Sequence, residues 1–442
     1  MINGGLKKLE EEISKVLLIK DPHIAKLLLA SVISQFLKTD PIWPVIIAPS
    51  GGAKSEFINM ITKVTWKLQN SDDPKEPQQI VSALSTLTSK TLISGYKTRG
   101  AEPSLLTKIT KGIIAFKDLT SLLSEHREER SVIMAQFREI YDGKYSKTFG
   151  TGEEVKWKGK ITIIAGATYG IHTMKQQYTA LGERFIFYNL VQPDREGASR
   201  KTMENQEEGL MEEHREYLAT LFSELAHDIL KTIPSKLPKM DESTRDDIIS
   251  LAEMSTRARS DVERNFRSPQ QEITEVHPPE MPTRMSGQLQ SLVQALKILN
   301  HYATGEFELL ASDKQMINQI ALDSIVKMRR TVMQRLSQYE VIETAGLALR
   351  LSLPTNSVRR YLEELVALEI AEREKGVGAK GDRWKIKPHY RDLMARFEGI
   401  KNEGGELTEQ TEMVNDENVL TEEEERRAAE IQELFPNETT SD

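Results

Sequence analysis

The sequence predicts an α/β fold: a parallel sheet with helical crossovers, a helical segment before it, a mainly helical region after it, and a small basic unit of helices and a hairpin towards the end. Three observations predict it. Short apolar runs, PVIIA, KGIIAF, KITIIAGAT and RFIFYNL, alternate with helical patterns between residues 41 and 192, the rhythm of a parallel sheet. The first run leads through APSGGAKS, Ala48 to Ser55, into the amphipathic EFINMITKVTWKL, the strand, loop and helix setting of a phosphate-binding loop. Residues 327 to 388 then carry 13 Lys or Arg against 8 acidic residues, net +5, over helical patterns and two strand-like runs.

With 442 residues, 38% hydrophobic and 29% charged, the chain is globular and long enough for two or three domains. The absence of cysteine excludes disulfides, thiol catalysis and cysteine metal sites. The eight histidines show no zinc-ligand spacing, and no Gly-x-Ser-x-Gly elbow occurs. There is neither a run of about 18 apolar residues nor a signal-peptide core, so a cytoplasmic protein without a membrane segment is expected. The net charge of −8 is unevenly spread. Residues 401 to 442 hold 14 acidic and 3 basic residues, net −11, which leaves +3 on the 400 before them. That stretch reads as disordered, a solubilising tail, a peptide that docks a replication partner or a single-strand mimic.

Residues 1–40 form an N-terminal helical segment, with apolar stripes at Leu6, Leu9, Ile13, Val16 and Leu17 and at Ile24, Leu27, Leu28 and Ile33. Residues 41–192 form the sheet-bearing core. In its loop, Ser50, Gly51, Gly52, Ala53, Lys54 and Ser55 can surround a phosphate: backbone N–H groups point inward, Lys54 neutralises charge and Ser55 holds magnesium. Ala48 and Ala53 stand where glycine is usual, each the smallest departure from it.

Roughly 60 residues further on, KGIIAFKDLTSLL is an apolar strand ending in an acid. Asp118 falls at the position that activates water, with Lys117 on the metal side; a one-residue slip makes Asp118 the magnesium ligand and Glu125 or another acid the base. Next, KYSKTFG and VKWKGKI flank Thr151-Gly152-Glu153-Glu154 as a β-hairpin. Its Lys144, Lys147, Lys156, Lys158 and Lys160 alternate with Tyr145, Phe149 and Trp157, charge beside stacking surface, which suits nucleic acid and equally protects a strand edge. TIIAGAT delivers Thr168 at a strand end, and LGERFIFYNL presents Arg184 before another strand.

Residues 193–325 read as a helical lid region. Within it Thr283 caps a helix whose first turn holds Arg284, an unfavourable place for a cation unless an anion is near. Residues 326–390 read as a winged helix. Thr355 can cap a helix that displays Asn356, Ser357, Arg359 and Arg360 while Val358, Leu362, Leu365 and Leu368 face inward, and the wing carries Lys380 and Arg383. Such a unit either enters a DNA groove or docks a protein. Residues 391–442 complete the chain as the acidic tail.

In the order of these elements the chain resembles the AAA+ ATPases with a hairpin before the sensor-1 strand, particularly the minichromosome-maintenance helicases and related replicative helicases of phages and mobile elements. KDLTSLLS, REIYDGKYSKTFGTG, WKGKITIIAGAT and LGERF are also similar to ATPases of bacterial mobile elements. The resemblance spans roughly residues 40 to 390. It implies an AAA+ P-loop core, ATP and Mg2+ as cofactors, DNA as partner and a hexameric ring as the working form. Lys54 and Ser55 match the Walker A pair, Asp118 the second Walker B acid, Thr168 sensor 1, Arg184 the arginine finger and Arg284 sensor 2; Lys147 to Lys158 match a channel-lining hairpin. The chain departs from the usual pattern at Ala48, Ala53, Lys117 and Thr168. The expected function is an ATP-dependent DNA helicase or translocase; the alternative is a non-hydrolysing DNA-binding initiator, regulator or helicase loader.

Overall fold

The computed structural model describes residues 4–398 except 19–20, 22, 67–77, 94–103, 150–153, 175–183, 191–193, 208, 210, 266, 269–270 and 377–380. The acidic tail beyond 398, Lys380 and the hairpin tip at Thr151, Gly152 and Glu153 lie outside these residues. The chain forms two compact units, one of residues 1–245 with 283–320, the other of 246–282 with 321–442. This division cuts across the helical region 193–325.

The first unit is built on a parallel sheet. Its strands are β1 (Pro44–Ile47), β2 (Val81–Leu84), β3 (Lys111–Phe116), β6 (Lys160–Ala167) and β7 (Ile186–Asn189), with a hairpin, β4 (Lys144–Thr148) and β5 (Glu154–Lys158), before β6. The five sheet strands lie in the order β2-β3-β6-β1-β7, every pair parallel. Val, Ile and Ala fill β1 and the inner part of β3 and β6 because both faces of a parallel sheet are covered. The edge strand β2 is VSAL, with only Val81 buried. So short a run, broken by Ser82, carries no strand signal of its own; pairing of Val81 to Ile113 through Leu84 to Phe116 makes it one.

The first 40 residues belong to this unit. The stripe expected on Ile24–Ser34 is absent because all eleven residues of that helix are buried. It packs against the Thr283–Thr304 helix and the sheet. Lys26, inside it, donates to Asp313 at 2.9 Å, and Asn300 donates to the other oxygen of Asp313 at 2.6 Å. Removing these charges from water is offset only while each has its partner.

The hairpin forms as expected, with a corrected facing. Gly143, at φ +76°, ends the Arg127–Tyr141 helix and starts β4. Tyr145 pairs across to Trp157, and both rings are buried in the core, the Trp157 indole donating to Ile109 O at 2.7 Å. The aromatics therefore lie on the opposite face from Lys144, Lys156 and Lys158, which are exposed. Lys160 leaves the hairpin altogether. Its ammonium donates to Ser34 O, Leu37 O and Thr39 O at 2.5 to 2.9 Å, closing the end of the Ile24–Ser34 helix, and burial pushes it down to about 8.

In the second unit, helices Lys327–Ser337, Thr344–Leu351 and Thr355–Ala367 precede β11 (Ala371–Glu374) and β12 (Arg383–Ile386). A strand not expected from sequence, β10 (Ile342–Glu343), joins them in an antiparallel sheet ordered β10-β12-β11. Val358, Leu362, Leu365 and Leu368 are buried as the periodicity predicts. Pro354, not Thr355, precedes the first helical residue, so Thr355 makes no capping bond. A further hairpin, β8 (Val262–Arg264) with β9 (Ile273–Val276), is tied to this helix. Arg264 and Arg329, both buried, converge on Glu364, with Arg264 Nη2 also donating to Arg360 O at 2.6 Å. Among the described residues no helix is long and apolar enough to cross a membrane.

Candidate nucleotide site and basic surfaces

Because β1, β3 and β6 run parallel, their C-terminal ends fall on one edge of the sheet. Ile47 pairs with Ala167 and Phe116 with Ala165, so the residues that follow, Ala48, Lys117 and Thr168, leave the sheet side by side. Ligands of open α/β sheets bind at this edge. The loop is closed internally: Gly52 donates to Pro49 O at 3.0 Å, and Ala48 N–H donates to Ala167 O at 3.2 Å. Gly51 takes φ +75°, and Ala53 takes φ 59°, ψ 7°, the left-handed conformation immediately before the Lys54–Met60 helix. Only the second is strained, since a β-carbon there costs about 1–2 kcal/mol.

Lys54 is buried, with its ammonium on Ala48 O at 2.8 Å and Pro49 O at 2.6 Å. Burial lowers its pKa while the nearby charge of Asp118 raises it, so the strand-end acid acts electrostatically on the loop lysine. Ser50 and Ser55 are exposed. Asp118 is exposed, and its Oδ1 accepts from Thr120 N at 2.9 Å, capping the Leu119–Leu123 helix. Lys117 is exposed beside it. Thr168 is joined to the same turn: its N–H donates to Thr120 Oγ1 at 3.0 Å and its hydroxyl lies 3.3 Å from that oxygen. Gly166 lets the edge close up, for a β-carbon there would sit 2.6 Å from Lys117 O and 3.4 Å from the Lys54 side chain. Lys54, Asp118 and Thr168 are thus brought to one edge. Thr120, just after β3, and Gly166, within β6, are additions that sequence reasoning missed.

Arg184 lies at the other end of the sheet. It precedes β7, whose Ile186 pairs with Pro44 at the start of β1, about 13 Å of extended chain from Ala48. There it is buried, donating to both oxygens of Asp142 at 3.1 and 3.2 Å and lying over the Tyr141 ring at 5.6 Å. Burial pulls its pKa down, Asp142 pulls it up and nearby Arg284 pushes it down again. Arg284 therefore stands beside Arg184. One turn on, Gln288 donates to Arg184 O. Neither arginine is at this chain's own loop.

On the hairpin, Lys144 and Lys158 face each other directly across the strands, a like-charge pair that is unfavourable without an anion. Lys156 pairs with Glu154 at 2.9 Å, and Lys147, half-buried, lies over the Phe149 ring at 5.2 Å. On the Thr355–Ala367 helix Asn356 and Arg359 are exposed, as is Arg383 on β12. Arg360 departs from the expected display. Its Nη1 donates to Gln271 Oε1 at 2.7 Å, so the β8–β9 connection holds it, and its Nη2 donates to the Ser357 hydroxyl at 3.3 Å.

Among the described residues one group, Glu263, Glu275 and His277, brings three side chains of metal-ligating type together. Glu263 and Glu275 are opposed across β8 and β9. His277 meets Glu263 through Nε2 at 3.1 Å and Glu275 through Nδ1 at 4.0 Å. Carboxylates at opposite ring nitrogens suit a protonated imidazole rather than a shared metal ion. The bond from Glu263 and the surrounding acids raise the His277 pKa.

No known protein family matches the chain, and no curated protein is detectably similar to it.

Proposed function

We propose that the chain is an ATP-dependent DNA helicase or translocase of the AAA+ kind, acting as a hexameric ring in replication of a phage or mobile element. The observation that carries this reading is the meeting of Lys54, Asp118 and Thr168 where three parallel strands end. Loop N–H groups and Lys54 hold the β- and γ-phosphates. The exposed Ser55 hydroxyl is a hard oxygen donor suited to Mg2+, which would supply charge neutralisation when bound. Asp118 orients the attacking water, and Thr168, fixed by Thr120, contacts the γ-phosphate. Arg184 and Arg284, at the opposite end of the sheet, serve the site of a neighbouring subunit. The exposed face of Lys144, Lys156 and Lys158 contacts the DNA backbone, and the C-terminal winged helix adds Asn356, Arg359 and Arg383.

A second reading, a non-hydrolysing DNA-binding initiator or loader, is favoured by one observation. Lys117 places a cation directly before Asp118, on the side where metal would bind. Paired titrations with a fluorescent ATP analogue and labelled single-stranded DNA separate the two. For the helicase, Lys54→Ala abolishes nucleotide binding and the nucleotide dependence of DNA affinity. For the initiator, Lys54→Ala leaves DNA binding unchanged whereas Arg359→Ala reduces it.

A further inference from the structure

The helix Met211–Lys231 lies along the helix that leaves the loop, and charged contacts join them. Arg215 donates Nε and Nη2 to the two oxygens of Glu56, both at 2.8 Å. Two turns on, Ser223 donates to Lys63 O at 2.9 Å, and Lys63 pairs with Glu216. Phe57, Met60, Ile13, Val16 and Leu218 meet at the same seam. Glu56 directly follows Ser55, in the first turn of its helix, about 3 Å of helical rise from Lys54. An uncompensated carboxylate at that place opposes a polyphosphate on the loop. The fork of Arg215 matches it with both oxygens, the strongest form of such a contact, and the Glu56 side chain is only 20% exposed.

We propose that Arg215 is a positioning residue for nucleotide binding: it cancels the charge of Glu56 and so keeps the loop receptive to polyphosphate. This rests on the nucleotide-binding reading given above. Removing Arg215 leaves the Ser223 and Glu216 attachments to Lys63 in place, so the helix keeps its seat. The Glu56 charge, however, is then felt by the ligand.

The test titrates mant-ATP with Mg2+ into the full chain as wild type, Arg215→Ala, Glu56→Gln, the double variant and Lys54→Ala, at low and high salt. Arg215→Ala is expected to weaken binding about tenfold, the effect of one charge acting over roughly 10 Å of interfacial medium, and to weaken it less at high salt. Glu56→Gln binds at least as tightly as wild type, and the double variant returns to within about twofold of it, because the charge that needed cancelling is gone. A double variant as weak as Arg215→Ala shows a merely structural role and overturns the proposal, as does an Arg215→Ala chain with wild-type affinity. Wild type that fails to bind overturns the nucleotide reading itself and the proposal with it.

Discussion

Ala53 holds a β-carbon in the left-handed region of backbone space, where glycine is at ease. Ala53→Gly should therefore stabilise the first unit by about 0.5–1 kcal/mol, the relieved strain less the added freedom of the unfolded chain. Urea denaturation measures it; a destabilised variant would show that the loop needs the methyl group. Gly166→Ala should act in the other direction, by about 1–3 kcal/mol, because its β-carbon meets Lys117 O. At this scale the meeting of Lys54, Asp118 and Thr168 at one sheet edge was legible, since Lys54 closes the glycine-bearing loop after one apolar run and Asp118 and Thr168 follow the ends of two others. Thr120 was hidden, because a threonine after a strand has no pattern that distinguishes a bridging hydroxyl from a solvated one. The pairing of Glu56 with Arg215 was hidden for a different reason: 159 residues separate the partners.

Elements were legible where their periodicity was strong and ambiguous where burial depends on the partner. The hairpin illustrates both. Alternation located β4 and β5, yet the same alternation of lysine and aromatic residues is satisfied by either facing, and only the core decides that Tyr145 and Trp157 point inward. The lysine face that results should be electrostatic in its action. Lys144→Ala combined with Lys158→Ala is expected to lower the slope of log K against log salt for single-stranded DNA by about 1.4, two charges at about 0.7 each; an unchanged slope would remove the hairpin from the DNA surface. The β8–β9 hairpin carries a pH dependence of its own. His277 has a raised pKa, so its support for the opposed Glu263 and Glu275 is fully present below the unfolded value of 6.5 and fades as pH rises through the folded one. An NMR titration should give a His277 midpoint above 6.5 in wild type that falls in Glu263→Gln; a midpoint at or below 6.5 in wild type would contradict the clasp.

Across the whole molecule, the order of segments in the chain misleads about which belong together. Residues 1–40 look like an appendage in sequence, but Ile24–Ser34 is buried on all sides within the first unit. Residues 246–282 interrupt the first unit in sequence and join the second, where Tyr390 donates to Glu253 at 2.7 Å and Ser255 meets Ser324 at 2.7 Å. An amphipathic stripe announces that a helix will be covered without saying by what. The buried pair of Lys26 with Asp313 measures how firmly the first 40 residues are held: Lys26→Met, which strands Asp313 without its cation, should cost about 3–5 kcal/mol of stability, and a loss under 1 kcal/mol in denaturation would show the segment to be peripheral. In the proposed function the APSGGAKS loop couples ATP hydrolysis to DNA. Steady-state ATP hydrolysis by the full chain, with and without single-stranded DNA, tests it most directly. Turnover that rises with DNA and disappears in Lys54→Ala is the expected result; a wild-type chain without turnover, or turnover that survives Lys54→Ala, contradicts it.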